Sequence, residues 1–152
     1  MSSVQRIGIR STFVLSVVAA LATLMPVAAV AQAPTVVVRD AWVRPPLPSK
    51  DETALYMTIE NKSASPRAIV SVMSEESKMA EMHKEMMDGK MMKMTQLQKI
   101  ELPANGTAVL KPNDMHVMLM GLKTKPAVGD TLSVTLKLDD GTMIPFKAEV
   151  RK

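Results

Sequence analysis

The sequence predicts an all-β protein, a sandwich or barrel built from short strands. Two observations carry this prediction. Segments of five to ten residues alternate apolar and polar side chains, and clusters of proline, glycine, asparagine and aspartate separate them at regular intervals. Such spacing is typical of β-sandwiches and barrels. With 152 residues, the chain is long enough for one domain and hardly for two.

The individual strands follow from the same pattern. In TALYMTIEN, residues 53–61, the apolar side chains of Leu55, Met57 and Ile59 alternate with those of their neighbours, as in a half-buried strand. The other predicted strands are residues 35–44, 67–74, 95–102, 107–111, 115–122, 131–138 and 143–151. Turn signals separate them at residues 44–52, 61–66, 103–106, 112–114, 126–130 and 139–141.

The first 31 residues predict a secretory signal peptide. Arg6 and Arg10 precede an apolar run over residues 13–25, and Pro26 and small residues follow. Cleavage is expected after Ala31, with Ala33 as the alternative, which leaves residues 34–152 as a single β-domain. An uncleaved anchor is the competing interpretation, but the run is shorter than the ~20 apolar residues of a membrane span. The absence of cysteine excludes an anchor on a lipid-modified cysteine. The mature protein is therefore expected to be exported, soluble and without a membrane span.

Composition excludes several function classes. The formal charge of +4 falls to +2 on cleavage, because Arg6 and Arg10 are the only charged residues among the first 31. The remaining basic residues are scattered, and the mature chain has only Trp42, Tyr56 and Phe146 as aromatic residues. Nucleic-acid binding would need a basic stripe with stacking aromatics. We also find no activated nucleophile or acid–base pair, so an enzyme is not expected.

The segment MAEMHKEMMDGKMMKM, residues 79–94, places seven methionines around one of only two histidines. Its periodicity also fits a helix, but Asp-Gly favours a two-residue type I′ hairpin turn. With Asp88 and Gly89 as the central residues, His83 would lie directly opposite Met94 and Lys84 opposite Lys93. Directly opposed Cβ atoms are ~4.5–5.5 Å apart. The hairpin interpretation thus predicts an imidazole beside a thioether.

The second histidine lies in MHVMLMGL, where a strand would direct His116 and Met118 to one face. Together the two pairs offer two imidazole nitrogens and two thioether sulfurs. Soft thioethers select copper(I), whereas zinc favours cysteine, further histidines or carboxylates. A blue-copper electron-transfer site needs a cysteine, and the chain has none. The residues therefore predict a site that carries reduced copper and does not cycle electrons.

The spacing of these four residues, H-x10-M-x21-H-x-M, resembles the signature of the periplasmic PCu(A)C copper chaperones. ALYMTIEN, DGKMMKM and MHVMLMGL are similar too, and the likeness covers roughly residues 40–150. The resemblance implies a cupredoxin-like Greek-key β-fold and one copper(I) bound by His83, Met94, His116 and Met118. It also implies delivery toward the CuA site of cytochrome c oxidase, sometimes alongside Sco-type thiol proteins. The family turn P-G-G-x-H is replaced here by residues 112–115, where Asn and Asp tolerate the left-handed conformation.

Alternatives remain open at this stage. The protein could be an exported copper buffer without a dedicated acceptor, or a metal-free β-sandwich interaction module. We expect a monomer, with Glu81 and Glu85 as solvated charges. A further group of methionines is interpreted either as packing or as a soft rim that admits copper or meets a partner: Met82, Met86, Met87, Met91 and Met92.

Overall fold

The computed structural model describes residues 35–152 of the chain. These residues form ten strands joined by turns and loops, and no helix. The strands are β1 Val36–Val43, β2 Glu52–Asn61, β3 Arg67–Ser74, β4 Ser77–Asp88, β5 Met91–Leu97, β6 Ile100–Leu102, β7 Thr107–Leu110, β8 Met115–Leu122, β9 Thr131–Leu138 and β10 Met143–Val150. The predicted all-β class is confirmed, and the helical interpretation of residues 79–94 is wrong. The predicted signal peptide and its cleavage site lie outside the described residues. Within residues 35–152, no helix has the length and apolar character to cross a membrane.

One predicted strand is divided in two. Residues 95–102 read as continuous, but β5 ends at Leu97 and β6 begins at Ile100, with a bend at Gln98 between them. The division lets the two parts join different neighbours. β5 pairs with β4 and forms a hairpin with it, while β6 pairs with β3.

The strands form a continuous, folded sheet in the order β5-β4-β8-β2-β1-β10-β9-β3-β6, and β7 pairs with part of β2. β2 is the junction, because it pairs with β1, with β8 through residues 52–55 and with β7 through residues 57–60. Most neighbouring strands are not consecutive in sequence, as in a Greek-key sandwich. β8 thereby lies between β2 and β4, at the centre of one layer.

The buried core draws a side chain from every described strand except β5. In β8, Val117 and Leu119 are essentially fully buried, and each contributes about 1.5–3 kcal/mol through burial. Because side chains alternate along a strand, these two residues direct His116 and Met118 to the opposite face. Packing of the core therefore fixes the strand that carries half of the predicted ligands.

The β4–β5 hairpin exists, but its predicted register is wrong by two residues. Asp88 pairs with Met91, so Gly89 and Lys90 are the central residues of the turn. Gly89 has a φ of 64°, whereas Lys90 does not adopt a positive φ. That combination fits a type II′ turn, which needs a glycine only at its first central position. A type I′ turn at Asp88-Gly89 would have required positive φ at both residues.

Candidate metal centre

His116 forms the buried side of the candidate site. Its side chain is 2% exposed, and its Nδ1 lies 3.2 Å from the backbone carbonyl oxygen of Asp114. A carbonyl oxygen only accepts hydrogen bonds, so Nδ1–H donates and Nε2 keeps its lone pair. Asn113, in the turn that precedes His116, adopts a φ of 62°, which is the left-handed conformation that asparagine tolerates.

His83 lies directly opposite His116 in the register of β4 and β8. The ring centroids are 5.9 Å apart, with an edge-on arrangement. His83 Nε2 lies 2.9 Å from Glu81 Oε2, and its Nδ1 lies 3.1 Å from Met94 Sδ. Because an ionised carboxylate only accepts hydrogen bonds, Nε2 carries the proton and the Nδ1 lone pair faces the Met94 sulfur. One imidazole nitrogen and one thioether sulfur are thus side by side.

Met94 reaches His83 although the two residues are not directly opposed. In the observed register, His83 faces Gln96 and Met94 faces Glu85, so His83 and Met94 are diagonal neighbours on the same face. A shift of one residue would have moved Met94 to the other face, whereas a shift of two keeps the face unchanged. Diagonal neighbours are within reach of long side chains. The predicted pair therefore survives the error in register.

Met118 lies on the same face as His116, two residues further along β8, and pairs with Glu81 across β4. Both His116 and Met118 line a cavity of about 220 Å³, together with Tyr56, Arg44 and Glu85. A larger groove of about 350 Å³ between β1 and β10 contains none of the predicted ligands and is lined mainly by apolar residues. The four predicted residues thus share one face of three adjacent strands.

Glu81 and Glu85 differ from the solvated charges expected of them. The Glu81 side chain is 28% exposed and bound to His83, while that of Glu85 is 18% exposed and lies 4.0 Å from His116 Nδ1. The sequence carries a usable signal, since E-x-H-x-E on a strand directs all three side chains to one face. That signal identifies neighbours of His83, and only the structure identifies the hydrogen bond.

Tyr56 borders His116 from the other side, on β2. Its ring centroid lies 6.2 Å from that of His116 and 4.6 Å from that of Trp42, and Arg44 lies over its ring. Burial raises the pKa of the Tyr56 phenol above its ordinary value of 10.0; Arg44 acts in the opposite direction and Glu85 in the same direction as burial. The phenol is therefore neutral at physiological pH. Sequence reasoning missed this neighbour because it comes from a strand far away along the chain.

The methionines of the segment divide between core and surface. Met82 is 6% exposed and belongs to the core, so it is packing and not part of a rim. The four other methionines for which the sequence allows either packing or a rim are all exposed: Met86, Met87, Met91 and Met92.

Known proteins resemble this chain in sequence over most of the described residues. The sequence model of the family described as "Putative lipoprotein LpqE-like" matches residues 36–150. The chain is 29% identical over 121 residues to the "Putative lipoprotein Lxx21020" of Leifsonia xyli subsp. xyli, a match that covers 79% of this chain and 72% of that protein.

Solved structures are similar over most of the chain. Apo-DR1885 of Deinococcus radiodurans is 33% identical, covering 97% of this chain and 95% of that one, with a TM-score of 0.62. Copper(I)-bound DR1885 is 37% identical, covering 82% and 83%, with a TM-score of 0.60. The copper-bound PCuAC domain of PmoF2 shares the fold at 21% identity and a TM-score of 0.67, over 79% of this chain and 95% of that domain. The chain therefore belongs to the LpqE-like, or PCu(A)C, family, and its fold is the cupredoxin-like β-sandwich that the family resemblance implied.

Proposed function

We propose that this protein is an exported carrier of copper(I), with His83, Met94, His116 and Met118 as the ligands. The observation that carries the proposal is the contact of His83 with Met94 at 3.1 Å, directly beside the buried ring of His116. Two imidazoles and two thioethers form a donor set suited to copper(I). The proposal is supported by the 37% identity to DR1885, a protein solved with copper(I) bound.

The hydrogen bonds favour a different nitrogen on each ring. His83 would bind through Nδ1, since Glu81 engages Nε2, and His116 through Nε2, since the Asp114 carbonyl engages Nδ1. Such partners commonly fix the tautomer and orientation of metal-binding histidines. Copper is the cargo here, and the chain's residues hold it without a change of oxidation state.

Exposure differs among the ligands in a way that suits transfer. His116 is 2% exposed, whereas Met94 is 47% exposed at the edge of the sheet. An acceptor can therefore displace Met94 first and the buried imidazole last, exchanging one ligand at a time. We propose an acceptor such as the CuA subunit of cytochrome c oxidase or a Sco-type thiol protein, whose thiolates are softer and stronger donors than thioethers.

The proposed ligands are tested by titrating the mature domain with copper(I) under reducing conditions. Tight binding of one ion is expected, with loss of tight binding in His83→Ala/His116→Ala. Met94→Leu should weaken binding, while Met143→Leu, a methionine with the same 47% exposure on β10, should not. Absence of binding by the wild-type domain would favour the metal-free interaction module.

Protons should compete with copper for the two imidazoles. We expect copper(I) affinity to fall as the pH is lowered from about 7.5 to about 5.5, because only a neutral imidazole binds metal. A competition titration with a pH-insensitive chelator measures this. A flat profile would contradict histidine ligation.

Copper delivery and copper buffering would use the same ligands, but they predict different rates of copper transfer to an acceptor. If the protein delivers copper, transfer to an apo CuA domain should be faster than to a chelator of equal affinity. Equal rates would favour an exported copper buffer.

We also propose the cellular form: residues 1–31 direct export and are removed, and residues 34–152 act in the periplasm as a monomeric domain. Mass spectrometry of the protein recovered from the periplasm tests the cleavage point, with Ala31–Gln32 expected and Ala33–Pro34 as the alternative. Recovery of the full-length chain from the membrane fraction would contradict removal of the signal peptide.

A further inference from the structure

Two methionines form a cross-strand pair near the tip of the β4–β5 hairpin. Met87 lies directly opposite Met92, and both share the face that carries His83 and Met94. Hydrogen-bonded and non-hydrogen-bonded pairs alternate along an antiparallel ladder. Because Asp88 and Met91 close the turn as a hydrogen-bonded pair, the next pair, Met87 and Met92, is non-hydrogen-bonded, and its Cα atoms approach to ~4.5 Å. Two thioether side chains are therefore brought together on this face, two pairs along the ladder from the Glu85–Met94 pair.

This pair has no role in the core. Met87 is 66% exposed and Met92 60% exposed, and β5 contributes no residue to the buried cluster of the described strands. Clustered exposed apolar groups in a soluble protein commonly mark a binding surface. Thioether sulfurs are also soft metal ligands, which gives the pair a chemistry that exposed leucines would lack.

Charge is divided between the two faces of the hairpin. The face of Met87 and Met92 carries Glu81 and Glu85 on β4 and no lysine from β4 or β5, whereas Lys84 and Lys93 lie on the opposite face. On this face of β4 and β5, a monovalent cation that approaches the methionine pair therefore meets carboxylates, while Lys90 lies in the turn beyond the pair. The opposite face also carries exposed methionines, but Met86 faces Lys93 and Met91 faces Asp88.

We infer that Met87 and Met92 form an outer copper(I) site, which captures the ion and passes it through Met94 to His83 and His116. The inference rests on the proposed function, since it names the entry route to that site. Copper stays monovalent throughout, and a copper(I) complex of the donor supplies it. Each step forms one copper–sulfur or copper–nitrogen bond as another copper–ligand bond breaks. No proton leaves, because thioethers carry none and His83 Nδ1 offers a lone pair.

The test compares Met87→Leu/Met92→Leu with Met86→Leu/Met91→Leu, a pair of exposed methionines on the other face of the same hairpin. Loading from a chromophoric copper(I) chelate is followed by stopped flow, and equilibrium affinity is measured separately. We expect Met87→Leu/Met92→Leu to slow loading several-fold while its affinity stays within about twofold of wild type. Met86→Leu/Met91→Leu should change neither quantity.

Three results would overturn the inference. Wild-type loading in both variants would mean that the pair takes no part in entry. Equal slowing in both would mean that the number of methionines matters and their face does not. A large loss of equilibrium affinity in Met87→Leu/Met92→Leu would make the pair part of the inner site.

Silver(I) titration of His83→Ala/His116→Ala, followed by the NMR signals of the methionine methyl groups, separates this inference from the proposed function. Shifts of Met87 and Met92 are expected even without the inner site, and their absence would refute the outer site alone. If the wild-type domain fails to bind copper(I) tightly while these shifts persist, the proposed function fails and the outer soft site remains.

Discussion

Hydrogen bonds to individual residues decide which imidazole nitrogens can reach a metal. Glu81 holds Nε2 of His83 at 2.9 Å, and the backbone of Asp114 holds Nδ1 of His116 at 3.2 Å. Neither partner is a predicted ligand, yet each engages one ring nitrogen and so leaves the lone pair of the other nitrogen to a metal. We therefore expect Glu81 to position the His83 ring.

Replacing Glu81 should weaken copper binding without removing a ligand. For Glu81→Gln we expect copper(I) affinity to fall by roughly tenfold, as for other residues that orient metal-binding histidines. Competition with a copper(I) chelator measures the change. Glu101→Gln is the matched control, because Glu101 is exposed on the other layer and forms an ion pair with Lys99. Equal affinities in the two variants would show that Glu81 does not position the ring.

Tyr56 provides a residue-scale prediction that does not involve metal. Burial raises its pKa above 10.0, so the folded state favours the neutral phenol. The stability from this preference is fully present below about pH 10 and is lost as the pH rises through the folded-state pKa. Tyr56 is the only tyrosine of the chain, so phenolate absorbance reports it alone. The urea-unfolded chain should titrate at lower pH, and coincident curves would contradict the prediction.

Among the elements, β5 depends least on the core, because β4 contributes Met82 to the buried cluster and β5 contributes no residue. The residues of β4 next to the turn and nearly all residues of β5 are exposed. Because the core does not hold β5, its pairing with β4 positions Met94. The register follows from the type II′ turn at Gly89-Lys90. By contrast, Val117 and Leu119 anchor β8 from the core side. The two halves of the candidate site thus lie on elements that differ greatly in how far core packing holds them.

Gly89→Ala should lower the copper(I) affinity of the protein in addition to its free energy of unfolding. A φ of 64° is unfavourable for alanine by about 1–2 kcal/mol, although the added Cβ would meet no atom within 4 Å. Loosening of the turn should displace Met94. Gly141→Ala is the control, with a φ of 85° and equally open surroundings in the β9–β10 turn. Both variants should lower the free energy of unfolding measured in urea, but only Gly89→Ala should lower copper affinity.

Across residues 35–152, the candidate site lies on one layer, while the other layer supplies much of the core. Leu132, Val134, Leu136 and Leu138 of β9 are all essentially buried, and β9 carries no predicted ligand. Stability and copper binding should therefore be separable by mutation. Ligand binding to the native state should still raise the stability of any variant that keeps the site.

Leu136→Ala tests this separation. We expect a loss of about 2–5 kcal/mol in the free energy of unfolding, because Leu136 is 0% exposed. Buffered copper(I) at 100 times its dissociation constant should return ~2.7 kcal/mol to both wild type and variant. Thermal unfolding with and without copper measures both effects. His83→Ala/His116→Ala should gain nothing from copper, and a loss of copper affinity in Leu136→Ala would show that the layers are coupled.

The amino-acid sequence by itself determined the all-β class, nearly all strand positions and the faces that carry His83, Met94, His116 and Met118. These features depend on alternation and turn residues, which are local along the chain. Only the tertiary structure decided the two-residue shift of the hairpin, the hydrogen bond of Glu81 to His83 and the contact of Tyr56 with His116. These depend on the turn geometry at Gly89 and on pairing between strands distant in sequence, and no local pattern encodes either.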